Sequence, residues 1–245
     1  MVGSNKIKHI GLIIDGNRRY AKSRDISYDE AYNLGAQKVD EIIKFIFSKT
    51  EVLEISIYML SRDNLFRDRK ELETILNAEE RLFDSWSADK FFVNGNIHVR
   101  FVGELNLLPV RFQRCCDNLK NKTSKNNSKI LNLLVAYKGN AEVCEAVERS
   151  IKEIYRIINK FEVSVNSSQS LNTALIEVIN NNLEIQTPVD LIIRTANENR
   201  LSGFLPWQSE YAELYSINKF WPEITNNDIT EAINSLAKKE RKHGL

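Results

Sequence analysis

The chain has 245 residues, 42% hydrophobic and 27% charged, with only nine glycines and four prolines; this excludes a disordered or fibrous protein and suits a single domain over residues 1–245. Its 34 basic side chains against 33 acidic ones give a formal charge of +1, which excludes a nucleic-acid binder held by bulk charge, so any anion site must be local. Three cysteines without CxxC spacing (Cys115, Cys116, Cys144) and three scattered histidines (His9, His98, His243) exclude a disulfide framework and a histidine-built zinc site, and they suit a reducing, cytoplasmic setting.

The chain opens on an apolar run, HIGLIID at 9–15, too short for a signal-peptide core or a membrane span. Ala31, Gly35, Val39, Ile42, Ile43, Ile46 and Phe47 then recur at helical spacing and predict a crossover helix with one face on a sheet. A second apolar run, 52–60 (VLEISIYML), precedes a helical stretch at 71–86. Further runs lie at 97–103, 130–137 and 189–195, with a candidate sixth at 212–217. The polar segment 121–129 predicts a surface connection between a helix and the fourth strand, and 165–170 is a polar interruption in helical sequence. Thr225 to Asp228 has the form of a capping box opening a last helix, which ends in residues 238–245. Short Ile, Leu and Val runs alternating with helical stretches predict an α/β fold with a largely parallel central sheet flanked by helices.

In such a sheet, ligands bind beyond the carboxyl ends of the strands. The first run ends in Asp15, Gly16, Asn17, Arg18 and Arg19; the second in Ser61, Arg62, Asp63 and Asn64, with Arg67 beyond; the fifth in Arg194 and Thr195, followed by Glu198, Arg200 and Ser202. Guanidinium groups bind phosphate oxygens in bidentate fashion, and a glycine lets backbone N–H groups approach an anion closely. Diphosphate is the natural ligand for that set, and a lone carboxylate can hold Mg²⁺ when the substrate supplies the other oxygens. Taken one at a time, Asp-Gly-Asn is an ordinary turn and each arginine an ordinary surface ion pair; the joint occurrence at several strand ends carries the reading.

HIGLIIDGNRRYAK at 9–22 resembles the first motif of the cis-prenyltransferases, the undecaprenyl and dehydrodolichyl diphosphate synthase family. SIYMLSRDNLFRDRKE at 56–71 resembles a second block, with Ser61, Asn64, Arg67 and Glu71 at matching places, and the segment 190–223 resembles the most specific one. The resemblance spans residues 9–244. It implies a Mg²⁺-dependent enzyme that condenses isopentenyl diphosphate with an allylic prenyl diphosphate to a longer Z-configured product. It also implies a homodimer, a hydrophobic tunnel between sheet and helices, and peripheral membrane contact at product release.

Through the resemblance, Asp15 is the essential acid, positioning Mg²⁺ and assisting departure of the allylic diphosphate, and Glu213 helps bind the metal. Gly16, Asn17 and Arg19, with Arg18 beside them, cradle the allylic diphosphate; Arg194, Arg200 and Ser202 grip that of isopentenyl diphosphate. Asn64 and Arg67, next to Ser61, orient the reacting ends. Phe47, Leu76, Leu82, Phe83, Leu131 and Leu133 are candidate tunnel walls, each equally readable as core.

The chain departs from the family pattern in places. Tyr28 and Tyr32 stand where an Arg and a His are usual, Leu65 replaces an aromatic residue after Asn64, and Tyr137-Lys138-Gly139-Asn140 replaces Y-G-G-R, with Lys138 as a compensating cation. These changes bear on the allylic substrate more than on the reaction. The rival readings are a non-catalytic scaffold or regulatory subunit of the same fold, against which Asp15 argues, and a member with an atypical prenyl acceptor. An aspartyl phosphatase would need a second Asp where Asn17 stands, a trans-prenyltransferase needs paired aspartates, and P-loop and GxGxxG motifs are missing.

Overall fold

The computed structural model describes residues 7–162 and 168–237. The expected polar interruption at 165–170 falls partly outside them, as does the end of the last helix at 238–245.

The strands are β1 (His9–Ile13), β2 (Glu54–Ser61), β3 (Ile97–Val102), β4 (Lys129–Tyr137), β5 (Leu191–Arg194) and β6 (Glu213–Ser216). They form one sheet in the order β3-β4-β2-β1-β5-β6, and every neighbouring pair is parallel. All six strands fall within or one residue beyond the apolar runs read from the sequence. The helices are α1 (Asn17–Arg24), α2 (Tyr28–Lys49), α3 (Arg69–Ala88), α4 (Lys90–Val93), α5 (Val110–Thr123), α6 (Gly139–Glu162), α7 (Ser168–Asn182) and α8 (Asn226–Ala237).

Side-chain capping marks where several helices start. Ser27 Oγ accepts the Glu30 N–H at α2 (3.1 Å), and Asp68 Oδ1 accepts from Lys70 (2.9 Å) and Glu71 (3.3 Å) at α3, satisfying donors that the first turn leaves free. The capping box at α8 is present in both directions, Asp228 N–H to Thr225 Oγ1 (3.3 Å) and Thr225 N–H to Asp228 Oδ2 (2.9 Å). The helical stripe of α2 is buried as expected, from Ala31 to Phe47.

The core lies between the sheet and α2, α3, α5 and α8, with Trp86, Phe83, Phe92, Phe112 and Trp221 among its fully buried side chains. Phe83 sits at an aromatic junction, its ring 5.2 Å from Phe101 and 5.9 Å from both Trp86 and Phe112. The six side chains considered as tunnel walls are all in the core: Phe47, Leu76, Leu82, Phe83, Leu131 and Leu133 are at most 6% exposed.

The parallel order places β2, β1 and β5 side by side, and their carboxyl ends therefore open on one crevice. The pairing of β2 with β4 shifts register at Tyr58/Leu60 and Leu60/Ser61, bending β2 just where its terminal Ser61 reaches that crevice.

Candidate active site

The chain leaves β1 at Ile13 and turns within three residues into α1. Gly16 adopts φ 111°, and a Cβ there would press on Phe220 at 2.9 Å and Ala196 at 3.1 Å, so no larger residue fits the turn. Gly16 is the N-cap of α1 without a side-chain cap bond, which leaves the first amides of the helix facing outward. The Asp15 carbonyl accepts from the Trp221 N–H (3.0 Å) and Thr195 Oγ1 (2.7 Å), fixing the loop to β5 and to the segment after β6.

Arg194 ends β5 opposite Ile13. Its guanidinium donates through Nε (3.0 Å) and Nη2 (2.5 Å) to Asp15 Oδ2, and through Nη1 to Ser202 Oγ (3.0 Å) and the Arg200 carbonyl. The Arg194 side chain is 5% exposed and that of Asp15 40% exposed, so a nearly buried cation is neutralised by a carboxylate with one face on the crevice. Around this pair, Arg19 donates to the Ala196 carbonyl at 3.2 Å and stands over the Phe220 ring; Glu198 lies between Arg19 (3.8 Å) and Arg200 (3.1 Å).

The β2 end builds the opposite rim. The Asn64 N–H donates to Ser61 Oγ at 3.2 Å. In the amide orientation that pairs donors with acceptors, Asn64 accepts from Arg67 Nη2 at 3.0 Å and Nε at 3.2 Å. Arg67 Nη1 also meets Tyr32 Oη (3.0 Å) and Glu71 Oε1 (2.9 Å), and Tyr32 donates to the same oxygen at 2.9 Å. Burial raises the Tyr32 hydroxyl well above the ordinary tyrosine range, so it stays a neutral donor. Tyr58, close by, is likewise pushed up to about 12, chiefly by burial.

These groups line one cleft of 650 Å³, in the range of small-molecule sites. Six cations (Arg18, Arg19, Lys22, Arg67, Arg194, Arg200) share it with Asp15, Asp63 and Glu198 at its mouth, whereas Val39, Met59, Leu60, Ile75 and Ala78 give it an apolar wall. Such a division suits a ligand with a polyanionic head and a hydrocarbon tail. Asp15, Gly16, Asn17, Arg18, Arg19, Ser61, Asn64, Arg67, Arg194, Arg200 and Ser202 all line it, as the strand-end reading expects.

Two expected contacts are not assembled in this chain. Glu213 opens β6 in register with Leu191, whereas Arg194 pairs with Ser216; three residues of parallel strand put Glu213 about 10 Å below the level of Arg194, and it does not line the cleft. Lys138 is not among the residues lining the cleft; its ammonium lies 3.7 Å from Asp63, which lines the mouth. Among the described residues no group of three or more His, Cys, Asp or Glu is placed to hold a metal. Asp15 alone, a hard oxygen donor open to the cleft, fits a Mg²⁺ ion that completes its shell with phosphate oxygens and water.

Lining residues that escape a strand-end reading include Tyr58, in mid-strand, and Glu79, on α3. For Glu79 a signal existed: it falls on the apolar stripe of Leu72, Ile75, Leu76, Leu82 and Phe83. Gly35 has a geometric reason to be small, because a Cβ there would overlap Asn17 Oδ1. The Trp221 indole donates to the Gly35 carbonyl (2.9 Å), locking this approach.

Comparison with known proteins agrees along nearly the whole chain. A family model described as "Putative undecaprenyl diphosphate synthase" matches residues 13–244. A tritrans,polycis-undecaprenyl-diphosphate synthase (geranylgeranyl-diphosphate specific) of Methanopyrus kandleri is 31% identical over 237 residues, covering 97% of this chain and 84% of that protein. An isoprenyl transferase of Thermus thermophilus is 32% identical over 243 residues, covering 97% and 88%. Among solved structures, lavandulyl diphosphate synthase from Lavandula x intermedia, in complex with dimethylallyl diphosphate, superposes with a TM-score of 0.80 at 25% identity and covers 97% of this chain and 98% of that one. A probable undecaprenyl diphosphate synthase from Campylobacter jejuni gives 0.76 at 23% identity, with 98% and 99% covered, and speaks to the fold.

The packing of Gly35 against Asn17 makes a test. Gly35→Ala should keep the helix, since alanine favours it, yet swing the Asn17 amide away from the mouth. Calorimetric titration with inorganic diphosphate is expected to show affinity weakened by about tenfold, the loss of one hydrogen bond to a charged group; unchanged affinity would remove Asn17 from the cradle.

Proposed function

This chain belongs to the undecaprenyl diphosphate synthase family of prenyltransferases, and we propose that the cleft at the ends of β1, β2 and β5 is where it condenses isopentenyl diphosphate with an allylic prenyl diphosphate. The product is a longer Z-configured prenyl diphosphate, and diphosphate is released. The observation that carries the placement is the Asp15–Arg194 pair at the mouth of a cleft whose wall is apolar.

Each residue has work that its position permits. The amides opening α1, with Gly16, Asn17, Arg18 and Arg19, take the allylic diphosphate, because a helix N-terminus and guanidiniums both favour negative charge. Arg200 and Ser202 take the diphosphate of the isopentenyl substrate. Arg194, with four of its five N–H groups engaged by Asp15, Ser202 and the Arg200 carbonyl, holds these groups in place as much as it binds phosphate. Arg67 is oriented by Asn64, Tyr32 and Glu71 and reaches the cleft between the two heads.

Ionisation of the allylic C–O bond builds charge on the departing diphosphate, and fixed cations in a partly dry cleft stabilise that charge more than they stabilise the bound substrate. When Mg²⁺ is bound, held by Asp15 and phosphate oxygens, it supplies further Lewis-acid stabilisation of the leaving group. Holding both substrates in one cleft makes attack by the isopentenyl double bond effectively unimolecular. Tyr28 and Tyr32, standing where an Arg and a His are usual, alter the contacts on the allylic side; this points to altered primer preference.

The reading includes a single domain over the chain and a homodimer. An exposed apolar stripe along α6, with Val147, Ile151, Tyr155 and Ile158 at 36 to 67% exposure, supports a second copy as the occupant. Long prenyl products partition into bilayers, so contact with a membrane surface belongs to product release; no helix among the described residues is long and apolar enough to cross one.

Purified protein incubated with labelled isopentenyl diphosphate, Mg²⁺ and allylic primers of several lengths is expected to yield labelled prenyl diphosphates. Asp15→Asn, which keeps an acceptor for Arg194, should reduce incorporation by roughly 10² or more; wild-type turnover in that variant would refute the assignment. For the dimer, sedimentation of wild type should show a two-chain species that Tyr155→Glu shifts towards monomer, and a monomeric wild type would end that part of the reading.

A further inference from the structure

The segment that carries Asn64 and leads into Arg67 is a short 3₁₀ turn, Arg62–Phe66, between β2 and α3. Such turns hold themselves weakly, and apolar packing adds little: Leu65 rests on the core, whereas Phe66 is 86% exposed. Towards α2 and α3 the turn is tied through Arg67 to Tyr32 and Glu71. On its other side it is tied by charge. Arg62 Nη1 lies 2.9 Å from Glu104 Oε1, off the hydrogen-bonding direction, and Lys138 Nζ lies 3.7 Å from Asp63 Oδ1. The sheet sets both anchors. Because β4 lies between β2 and β3, the ends of those two strands are about 10 Å apart, and Arg62 reaches across the end of β4 to Glu104. Gly103 sits so close to β4 that a Cβ there would overlap the Val135 carbonyl oxygen, and the Glu104 N–H donates to the Ala136 carbonyl at 3.4 Å, which fixes the backbone from which Glu104 projects. Lys138 follows Tyr137, the register partner of Ser61, and so starts beside the turn.

We infer that Glu104 is a positioning residue: through Arg62, and seconded by Lys138 acting through Asp63, it holds the turn where Asn64 and Arg67 meet the reacting ends. The inference rests on the cleft being the condensation site. Neither Glu104 nor Lys138 lines the cleft, so their influence passes through the turn. Arg62 is 41% and Glu104 26% exposed, and a pair that wet adds little to global stability; its effect is to select one position of a turn that little else holds. Asn64 accepts from Arg67 Nη2 and Nε, so a displaced turn misaligns the guanidinium as well. Misalignment of groups that orient the reacting ends slows the chemical step more than it weakens the grip on the diphosphates. A carboxylate acting on the polyanionic substrates by its field alone would do the opposite, since its removal would tighten their binding.

A charge exchange tests this. Glu104→Gln should lower kcat by about two- to fivefold, the range of an exposed ion pair, and leave KM for both substrates unchanged. Glu104→Arg, which sets a like charge against Arg62, should lower kcat further, and Arg62→Glu combined with Glu104→Arg should restore it. A second readout needs no turnover: with para-fluorophenylalanine in place of Phe66, the fluorine resonance should shift or split in Glu104→Gln and return in the exchanged pair. An unchanged kcat in Glu104→Gln, a loss that the exchange does not restore, or an effect confined to KM would overturn the inference. If wild type forms no prenyl product, the reaction assignment fails and the fluorine series alone decides: a shift reversed by the exchange keeps the tie between Glu104 and the turn, and an unmoved resonance ends it. Thermal midpoints equal to that of wild type confirm that the variants are folded.

Discussion

A guanidinium sunk almost completely into protein needs a carboxylate against it, and Arg194 finds one in Asp15, which also faces the cleft. Parallel pairing of β1 with β5 sets Ile13 beside Arg194, and the turn after Ile13 carries Asp15 to the guanidinium. That contact ties together segments 179 residues apart. Loss of Asp15 would leave the nearly buried Arg194 guanidinium without its counter-ion, whereas Asp15, partly open to the cleft, keeps access to solvent. The same guanidinium holds Ser202 and the Arg200 carbonyl, so the loop after β5 takes its shape from the partner of Asp15.

From this anchor, the cleft divides by polarity. Its mouth concentrates six cations on three strand ends, although the whole chain is nearly neutral; local arrangement, not net charge, makes the mouth cationic. Below the mouth, the walls come from α2, α3 and the end of β2. Tyr32, Arg67 and Glu71 mark the border, each satisfied by the others, so the border is rigid before any ligand arrives. The carboxyl of Glu79 interrupts the apolar wall on α3.

Much of this could be read from the residues in order. Strands covered on both faces appear as unbroken Ile, Leu and Val runs, so β1, β2 and β4 were plain, and polar residues clustered at their ends marked the cleft. The long stripes of α2 and α3 were equally visible. What sequence order could not supply was the end of a strand on which a residue stands: Glu213 begins β6 while Arg194 finishes β5, and parallel register alone keeps the former out of the cleft. Contacts between helices were also hidden. That Gly35 must yield space to Asn17, or that Phe47 and Leu82 are buried in the core while Val39 and Ile75 of the same helices line the cleft, follows from how α1, α2 and α3 pack, which periodicity does not encode.

The most direct test of the central claim is a crystal structure of the protein with Mg²⁺ and an unreactive thio-analogue of an allylic diphosphate. The account requires the diphosphate at the start of α1, with the metal between its oxygens and Asp15, and the tail along Val39, Ile75 and Ala78 towards Glu79. A diphosphate bound away from the ends of β1 and β5, or a tail lying outside the α2–α3 wall, would contradict it.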